Sequence, residues 1–291
     1  MCKPPCGSDM VGEVEEAALE RIRVVLVRPR YGGNVGSAAR AMKNMGLSDL
    51  VLVAPRARVG AVGARMAAHA KDVLAARRSA PDLARAVDDC TLVVGTTCRE
   101  GGYRGALRPL AEVAREVARI ARKARVALVF GPEDHGLDNA DLSLCQRLAR
   151  IPTSAAYPSL NLAQAVLLCT YEVRLAMLVG GRRTVGRLAG GRHSGGSEGE
   201  LASSREREAL IAHLAEALGR IGFLSTQNPE HILHDVRSLF ARAALTSRDV
   251  RVWRGIARQV LWAASGAAPG STPGGVTSGR RGSRATAPNA R

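Results

Sequence analysis

Leu128-Val129-Phe130-Gly131-Pro132-Glu133 is the stretch that decides the fold, because an apolar run ends there in a glycine, a proline and a carboxylate. Such a run predicts a buried strand, and Gly with Pro predicts the loop that ends it. Earlier in the chain, Val24-Val25-Leu26-Val27 is followed by Asn34-Val35-Gly36-Ser37-Ala38-Ala39-Arg40. Backbone groups at such strand-to-helix junctions are free to hold a ligand. The two segments therefore predict an α/β fold with a ligand site at the ends of its strands.

Further apolar runs alternate with helical patterns between Arg21 and Val179. Val- and Leu-rich runs of this kind are typical of parallel strands that are buried on both faces. The predicted strands are Ile22–Val27, Leu50–Ala54, Leu92–Gly95, Val126–Phe130 and Leu148–Ile151. The predicted helices cover residues 35–46, 63–77, 81–87, 109–123, 138–145 and 160–179. We therefore predict one α/β domain over residues 21–179.

The flanking segments differ in composition from this domain. Residues 1–20 are predicted to be a flexible leader, and residues 180–200 a basic, Gly-rich linker. Apolar residues return at helical spacing in residues 201–264, which predicts a small α-helical extension. Residues 265–291 contain mainly Gly, Ser, Thr, Pro and Arg, so we predict a disordered basic tail.

The charge of the chain indicates the class of its partner. The 291 residues have a formal net charge of +16, which attracts polyanions. We find no secretion signal in residues 1–20 and expect no apolar stretch long enough to span a bilayer. The six cysteines form no CxxC pair, which argues against a structural zinc site. We therefore expect a cytoplasmic protein that binds nucleic acid, with no membrane partner and no metal.

Asn34 and Arg40 are the first candidate site residues. Asn34 stands at the predicted start of a helix, where its side chain can cap free amides, and Arg40 is a charged residue in an otherwise apolar helix. Without any functional site, the same pattern is explained by an ordinary helix cap at Asn34 and a solvent-facing side chain at Arg40. The neighbouring glycines also suggest a dinucleotide site, but the GxGxxG and GxxxxGK[ST] fingerprints are absent.

Small and polar residues follow the later strands as well. Thr96, Thr97 and Cys98 follow one strand, and Gly131 begins the rigid loop after the next. The segment Ser159-Leu160-Asn161 precedes a long apolar helix, where Ser159 or Asn161 can cap its amides. Plain turns and helix caps account for each of these segments taken alone.

Together, in this order, the segments resemble the three motifs of the SPOUT superfamily and, within it, the TrmH-like RNA 2′-O-ribose methyltransferases. The resemblance covers nearly all of residues 21–179. The later segments Asp235-Val236-Arg237-Ser238-Leu239-Phe240-Ala241-Arg242-Ala243 and Val252-Trp253-Arg254-Gly255-Ile256 are similar to the bacterial tRNA methyltransferases that act on anticodon-loop nucleotide 32.

The resemblance implies a parallel sheet with a C-terminal trefoil knot, a homodimer and S-adenosyl-L-methionine as cofactor without a metal. It makes the residues 201–264 an RNA-binding extension. It assigns catalytic roles to Arg40, Asn34 and Ser159. The cofactor would be bound by Thr96, Thr97, Cys98, Gly131, Ile151, Pro158, Ser159 and Leu160.

The implied reaction is methylation of a ribose 2′-hydroxyl on C32 or U32 of tRNA. The alternatives are another tRNA site or an rRNA site, and a catalytically silent RNA-binding protein with the same fold. An ordinary nucleotide-binding dehydrogenase or hydrolase is disfavoured by the missing phosphate fingerprints.

Overall fold

The computed structural model describes residues 15–98, 107–185, 200–224 and 229–265 of the chain. Seven strands form a single sheet in the order β3-β2-β1-β6-β4-β7-β5, and all neighbouring strands are parallel. The strands are β1 (Ile22–Val27), β2 (Asp49–Val53), β3 (Arg78–Ala80), β4 (Leu92–Thr96), β5 (Leu107–Pro109), β6 (Val126–Phe130) and β7 (Arg147–Arg150). The five predicted strands and the parallel α/β class are confirmed.

The two strands that the sequence did not predict, β3 and β5, pair at the two edges of the sheet. Each has only three residues and includes an arginine, so neither forms an apolar run. An edge strand pairs on one side only and needs less apolar character than a central strand.

Helices connect the strands and continue after them. In the α/β domain they are α1 (Gly32–Asn44), α2 (Gly60–Ala67), α3 (Lys71–Ala76), α4 (Leu83–Ala86), α5 (Leu110–Ala121), α6 (Asn139–Ser143) and α7 (Leu162–Val185). In the extension they are α8 (Ser204–Arg220), α9 (Pro229–Ala243) and α10 (Ser247–Ala264). The single helix predicted over residues 63–77 is therefore wrong. Ala68 has a φ of 49°, which breaks the stretch into α2 and α3.

The sheet is covered on both faces. One core cluster joins β1, β2, β4 and β6 to α1, α5 and α7. The other contains alternate residues of the same strands, together with α4 and α6. Alternate side chains of a strand point to opposite faces of the sheet, so the continuous apolar runs fill both layers.

Two predicted boundaries are wrong. Residues 15–19 are helical, and Ala18 and Leu19 are buried in the core, so the predicted leader is structured over these residues. The helix α7 continues to Val185, beyond the predicted linker start at residue 180. A glycine pair in a helix costs only about 1 kcal/mol per residue, which the rest of a long helix can offset. The rest of the predicted leader, linker and tail lies outside the described residues, in residues 1–14, 186–199 and 266–291.

One described helix is long and apolar enough to cross a membrane by length and composition alone. The segment Leu162–Val179 of α7 has a mean hydropathy of 1.5, so the expectation of no such stretch is wrong. Glu172 and Arg174 interrupt it, and Val166, Val173 and Met177 lie buried in the core. This one-sided burial is the pattern of a helix that packs on a sheet.

The helical extension docks on the α/β domain through the start of α8. Ser203 and Glu206 form a reciprocal capping box there. The backbone N–H of Ser204 donates to the carbonyl of Cys90 at 2.8 Å, and the N–H of Arg205 donates to the carbonyl of Asp88 at 3.0 Å. These bonds use helix-terminal amides that have no partner within the helix, and they fix α8 beside the entry to β4.

The contact between α1 and α2 leaves no room for a side chain at Gly36. A Cβ atom built there would lie 2.0 Å from the carbonyl oxygen of Gly63. Since that atom belongs to the backbone, the two helices can approach this closely only without the Cβ.

We predict that Gly36→Ala lowers the free energy of unfolding by about 1–3 kcal/mol, because α1 and α2 must move apart. Urea unfolding followed by circular dichroism measures this change. The matched control is Gly255→Ala in α10, where a new Cβ meets nothing within 4 Å. The control should be neutral or slightly stabilising, and equal destabilisation by the two variants would contradict the packing argument.

Candidate functional site

The carboxyl ends of three neighbouring strands form the candidate site. β4 pairs with β6 on one side and with β7 on the other. The loops after these three strands therefore meet at one edge of the sheet, where ligands bind in open α/β folds. They enclose a cavity of about 430 Å³.

All eight residues predicted to bind the cofactor line this cavity. They are Thr96, Thr97, Cys98, Gly131, Ile151, Pro158, Ser159 and Leu160. The cavity is also lined by Phe130, Pro132, Glu133, Asp134, His135, Gly136, Leu162 and Ala165. Of these, Pro132 and Gly136 belong to the predicted rigid loop and Leu162 was a candidate to cover an adenine ring, whereas Phe130 and Ala165 had no predicted role in the site. The binding role of all of them stays a prediction.

Gly131 has to be a glycine for the loop after β6 to close. A Cβ atom there would lie 2.2 Å from the carbonyl carbon of Gly136 and 2.2 Å from the nitrogen of Leu137. The loop thus folds back on its own first residue, and the N–H of Gly136 donates to the carbonyl of Pro132 at 2.9 Å. The result is a compact loop, and Glu133, Asp134 and His135 within it also line the cavity.

The threonines at the end of β4 tie the three strands together. The hydroxyl of Thr96 donates to the carbonyl of Val129 in β6 at 3.1 Å. The N–H of Thr97 donates to the carbonyl of Ala149 in β7 at 3.2 Å. Both residues are half-buried, and these bonds fix the floor of the cavity.

The Glu133 carboxylate joins the β1 loop to the β6 loop. Its Oε1 accepts from the side-chain amide of Asn34 at 2.8 Å, and its Oε2 accepts from the backbone N–H of Arg30 at 3.0 Å. The Oδ1 of Asn34 in turn accepts from Nδ2 of Asn161 at 3.1 Å. One carboxylate and two amides therefore connect three loops that are far apart in sequence.

This network corrects the prediction that Asn34 caps α1. The helix begins two residues earlier, at Gly32, and its N-cap residue Tyr31 makes no side-chain capping bond. The alternative predicted cap of the later helix is confirmed for Asn161, whose Oδ1 accepts from the N–H of Ala163 at 2.9 Å. Asn161 thus both caps α7 and holds Asn34.

Two arginines of the β1 loop form ion pairs that reinforce the same junction. The Arg28 guanidinium contacts the carboxylates of Asp138 and Asp141, and Arg30 pairs with Asp134. Arg28 has a φ of 48°, in the left-handed region that residues with a side chain rarely adopt. The ion pairs and the backbone bond to Glu133 hold the chain in this conformation.

Arg40 and Ser159 are both exposed. Arg40 lies on α1 and does not line the cavity. In the part of the chain that the structure describes, its guanidinium has no hydrogen bond or ion pair, so it is free to meet a ligand from solution. Ser159 lies on the rim of the cavity. The structure therefore brings Asn34 and Ser159 to the cavity region and leaves Arg40 to one side.

Comparison with protein families divides the chain as the structure does. Residues 21–171 match the SpoU rRNA Methylase family, and residues 205–269 match the C-terminal domain of the tRNA methyltransferase TrmJ. The first match covers β1 to the middle of α7, and the second begins in α8 and reaches past the end of α10.

Curated relatives cover both parts. The chain is 39% identical over 250 residues to the tRNA (cytidine/uridine/adenosine-2′-O-)-methyltransferase TrmJ of Pseudomonas aeruginosa, covering 85% of this chain and 96% of the relative. It is 35% identical to the tRNA (cytidine/uridine-2′-O-)-methyltransferase TrmJ of Photorhabdus laumondii, covering 84% and 99%.

Solved structures agree in fold. The crystal structure of TrmJ from Z. mobilis superposes with a TM-score of 0.69 at 32% identity, covering 82% of this chain and 98% of that one. A probable methylase family protein from Haemophilus influenzae superposes with a TM-score of 0.55 at 32% identity, covering 85% and 98%. The chain belongs to the TrmJ family of SpoU-type methyltransferases.

Proposed function

We propose that this protein transfers a methyl group from S-adenosyl-L-methionine to a ribose 2′-hydroxyl of tRNA. The observation that carries the proposal is the single cavity that the predicted cofactor-binding residues share. The proposal is also supported by two relatives that are named tRNA 2′-O-methyltransferases, since this chain matches nearly the whole length of each. We also place the protein in the cytoplasm, where its proposed substrate occurs. The trefoil knot stays a prediction of the family resemblance.

The residues around the cavity fit S-adenosylmethionine. A volume of about 430 Å³ lies in the range of small-molecule sites, roughly 300–1,000 Å³. Ile151, Leu160 and Leu162 supply apolar surface for an adenine ring. Gly131 lets the loop after β6 fold back on itself, which shapes this wall of the cavity. When bound, this cofactor supplies an electrophilic methyl group on a sulfonium ion.

In the proposed reaction the ribose 2′-oxygen would take the methyl group that the cofactor supplies, leaving the cofactor as a neutral thioether, and the hydroxyl proton would pass to solvent water. The protein must hold the oxygen in line with that methyl group and redirect the proton. Arg40 is the residue that we propose for holding the ribose in this orientation. A guanidinium stays protonated at neutral pH and is a poor base, so Arg40 acts more readily as a clamp on a phosphate that orients the ribose.

Asn34 and Ser159 have supporting roles in this proposal. Asn34 lies in the first turn of α1 and is held by Glu133 and Asn161, so the start of α1 is fixed relative to the cavity loops before substrate arrives. The exposed hydroxyl of Ser159 on the cavity rim can contact the reacting nucleotide or the cofactor. Neither residue needs to change its charge during the reaction.

For the substrate position we propose nucleotide 32 of the anticodon loop, with cytidine or uridine as the base. The names of the relatives support cytidine and uridine, and that of the Pseudomonas relative adds adenosine. Another tRNA site or an rRNA site remains the alternative to this assignment.

We propose that the protein is a homodimer. On α7, Tyr171, Leu175 and Leu178 form an exposed apolar stripe at helical spacing. Val62 and Met66 of α2 are exposed as well, and α1 packs against both α2 and α7. Apolar surface of this extent on a soluble protein is typical of a protein interface. Such a dimer would bring α1, and Arg40 with it, next to the partner.

We propose that the helical extension binds RNA. Arg251, Arg254 and Arg258 are exposed and lie on one face of α10, at a spacing of three and four residues. Aligned arginines on a helix match the spacing of backbone phosphates better than scattered charges. The extension would therefore hold the tRNA while the cavity acts on one nucleotide.

We predict that Arg40→Ala lowers the turnover of tRNA methylation roughly 100-fold or more, because the ribose loses its orientation. Binding of S-adenosylmethionine, measured by isothermal titration calorimetry, should stay nearly unchanged. Arg115→Ala is the control, since Arg115 is another exposed arginine on a helix and does not line the cavity. Near-normal turnover of Arg40→Ala would refute the role of Arg40.

We predict that Leu175→Glu converts the dimer into a monomer, because a charge in the centre of the stripe has to be desolvated on association. Light scattering coupled to size-exclusion chromatography measures the mass. Val252→Glu, at an exposed apolar position on α10, should remain dimeric. A dimeric Leu175→Glu protein would show that α7 does not form the interface.

We predict that replacing Arg251, Arg254 and Arg258 together by Gln weakens tRNA binding and reduces its salt dependence. The slope of log K against log [salt] should fall by about two to three if each arginine neutralises one phosphate. Filter binding over a series of salt concentrations gives the slope. An unchanged slope would mean that tRNA does not contact this face of α10.

A further inference from the structure

A second cavity lies between the α/β domain and the helical extension, away from the candidate methylation site. Its volume is about 340 Å³. Leu142 and Leu148 form part of its wall on the α/β side, and Leu210 and Phe240 do so from α8 and α9. None of these residues lines the cavity at Gly131.

The charged side chains of this second cavity are mostly arginines. Among the described residues of its lining there are five arginines and one carboxylate, that of Glu208. The arginines are Arg108, Arg147, Arg207, Arg237 and Arg242. Two low-dielectric walls with charge of one sign concentrate anions between them.

Nearby carboxylates neutralise only some of these arginines. Arg108 and Arg147 both contact the carboxylate of Glu116, and Arg237 contacts that of Glu208 at 3.1 Å. Arg242 is exposed and has no hydrogen bond or ion pair with any described residue. Among the described residues, Arg207 and Arg242 therefore form no direct ion pair, although Glu206 and Glu208 lie near enough to Arg207 to favour its charged form.

Arg207 leaves one edge of its guanidinium without a partner. Its Nη1 donates to the carbonyls of Thr91 and Ala202, whereas Nε and Nη2 are buried and make no hydrogen bond among the described residues. Burial lowers the pKa of Arg207 to about 10, which still leaves the group charged at neutral pH. Buried unpaired donors on a charged group are unfavourable, so an added acceptor would be stabilising.

The free edge has the shape that binds a phosphate. Nε–H and the adjacent Nη2–H point in parallel and can donate to two oxygens of one anion. Both atoms are closed off from solvent, so the guanidinium has to turn toward the cavity that it lines. The apolar wall formed by Leu210, Ile211 and Phe240 suits a ring or sugar better than a bare ion.

We propose that this cavity is a binding site for a phosphate group carried by a nucleotide-sized ligand, with Arg207 and Arg242 holding the phosphate. The phosphate belongs either to a nucleotide of bound RNA or to a free nucleotide. The site is distinct from the cavity of methyl transfer, and binding at it requires neither cofactor nor turnover.

Tryptophan fluorescence provides a direct readout for the test. The chain has two tryptophans, and Trp253 packs edge-on against Phe240 with ring centroids 5.3 Å apart. Since Phe240 lines the cavity, a bound ligand should change the emission of Trp253. AMP is the probe, adenosine tests whether the phosphate is required, and inorganic phosphate tests whether it is sufficient.

We expect AMP to produce a saturable change and adenosine to produce none at the same concentration. Arg242→Gln should weaken AMP binding about tenfold, as loss of a charged hydrogen bond implies. Arg207→Lys keeps the charge but removes the two-donor edge, and should weaken it similarly. Arg220→Gln is the matched control, because Arg220 is exposed on α8, has no partner among the described residues and does not line this cavity.

A second titration distinguishes the two sources of the phosphate. If saturating tRNA abolishes the AMP response, the site takes a phosphate of RNA. If the AMP response persists at saturating tRNA, the site takes a free nucleotide. Either result supports a phosphate site.

Equal responses to AMP and adenosine would overturn the proposal, and so would the absence of any AMP response in the wild type. Arg242→Gln decides the matter even if Arg207→Lys fails to fold, since Arg242 makes no contact that the fold needs. Arg242→Gln and Arg220→Gln with equal affinities for AMP would likewise overturn it.

Discussion

The hydrogen bonds of the Glu133 carboxylate are the constraint on which the candidate site depends. They join the loop after β6 to Arg30 in the loop after β1 and to Asn34 in the first turn of α1. Asn34 in turn accepts a hydrogen bond from Asn161 at the start of α7. The half-buried carboxylate accepts hydrogen bonds from two N–H donors, and its removal would leave both donors without a partner. The position of α1, which carries Arg40, is thereby coupled to the walls of the cavity.

The order of the strands makes this network possible. β1 pairs with β6, and β4 lies between β6 and β7, so loops distant in sequence leave the sheet side by side. Gly131 then lets the β6 loop fold back tightly, and Thr96 and Thr97 bind the ends of the three strands to one another. Sheet, loops and α7 thus form one preorganised pocket, which is what transfer of a group between two bound molecules requires.

Much of the fold was predictable because the signal was strong where burial is greatest. The central strands are continuous apolar runs, and β1 and β6 have the predicted bounds. The edge strands β3 and β5 were missed because they need little apolar character. The residues around the cavity were found through small and polar residues after strands. The bridge that Glu133 forms to Arg30 and Asn34 was not predictable, because these residues come close to it only in the folded sheet. The arginines of the second cavity were missed for the same reason, since α8 and α9 meet the α/β domain through contacts that one sequence does not display.

The most direct test of the central claim is methyl transfer from labelled S-adenosylmethionine to unmodified tRNA, followed by mapping of the labelled nucleotide. The account predicts a 2′-O-methyl group on the ribose of nucleotide 32. A label on another tRNA ribose would support ribose 2′-O-methylation but contradict the assignment to nucleotide 32. Labelling of a base, or no labelling of tRNA by a protein that binds the cofactor, would contradict the account.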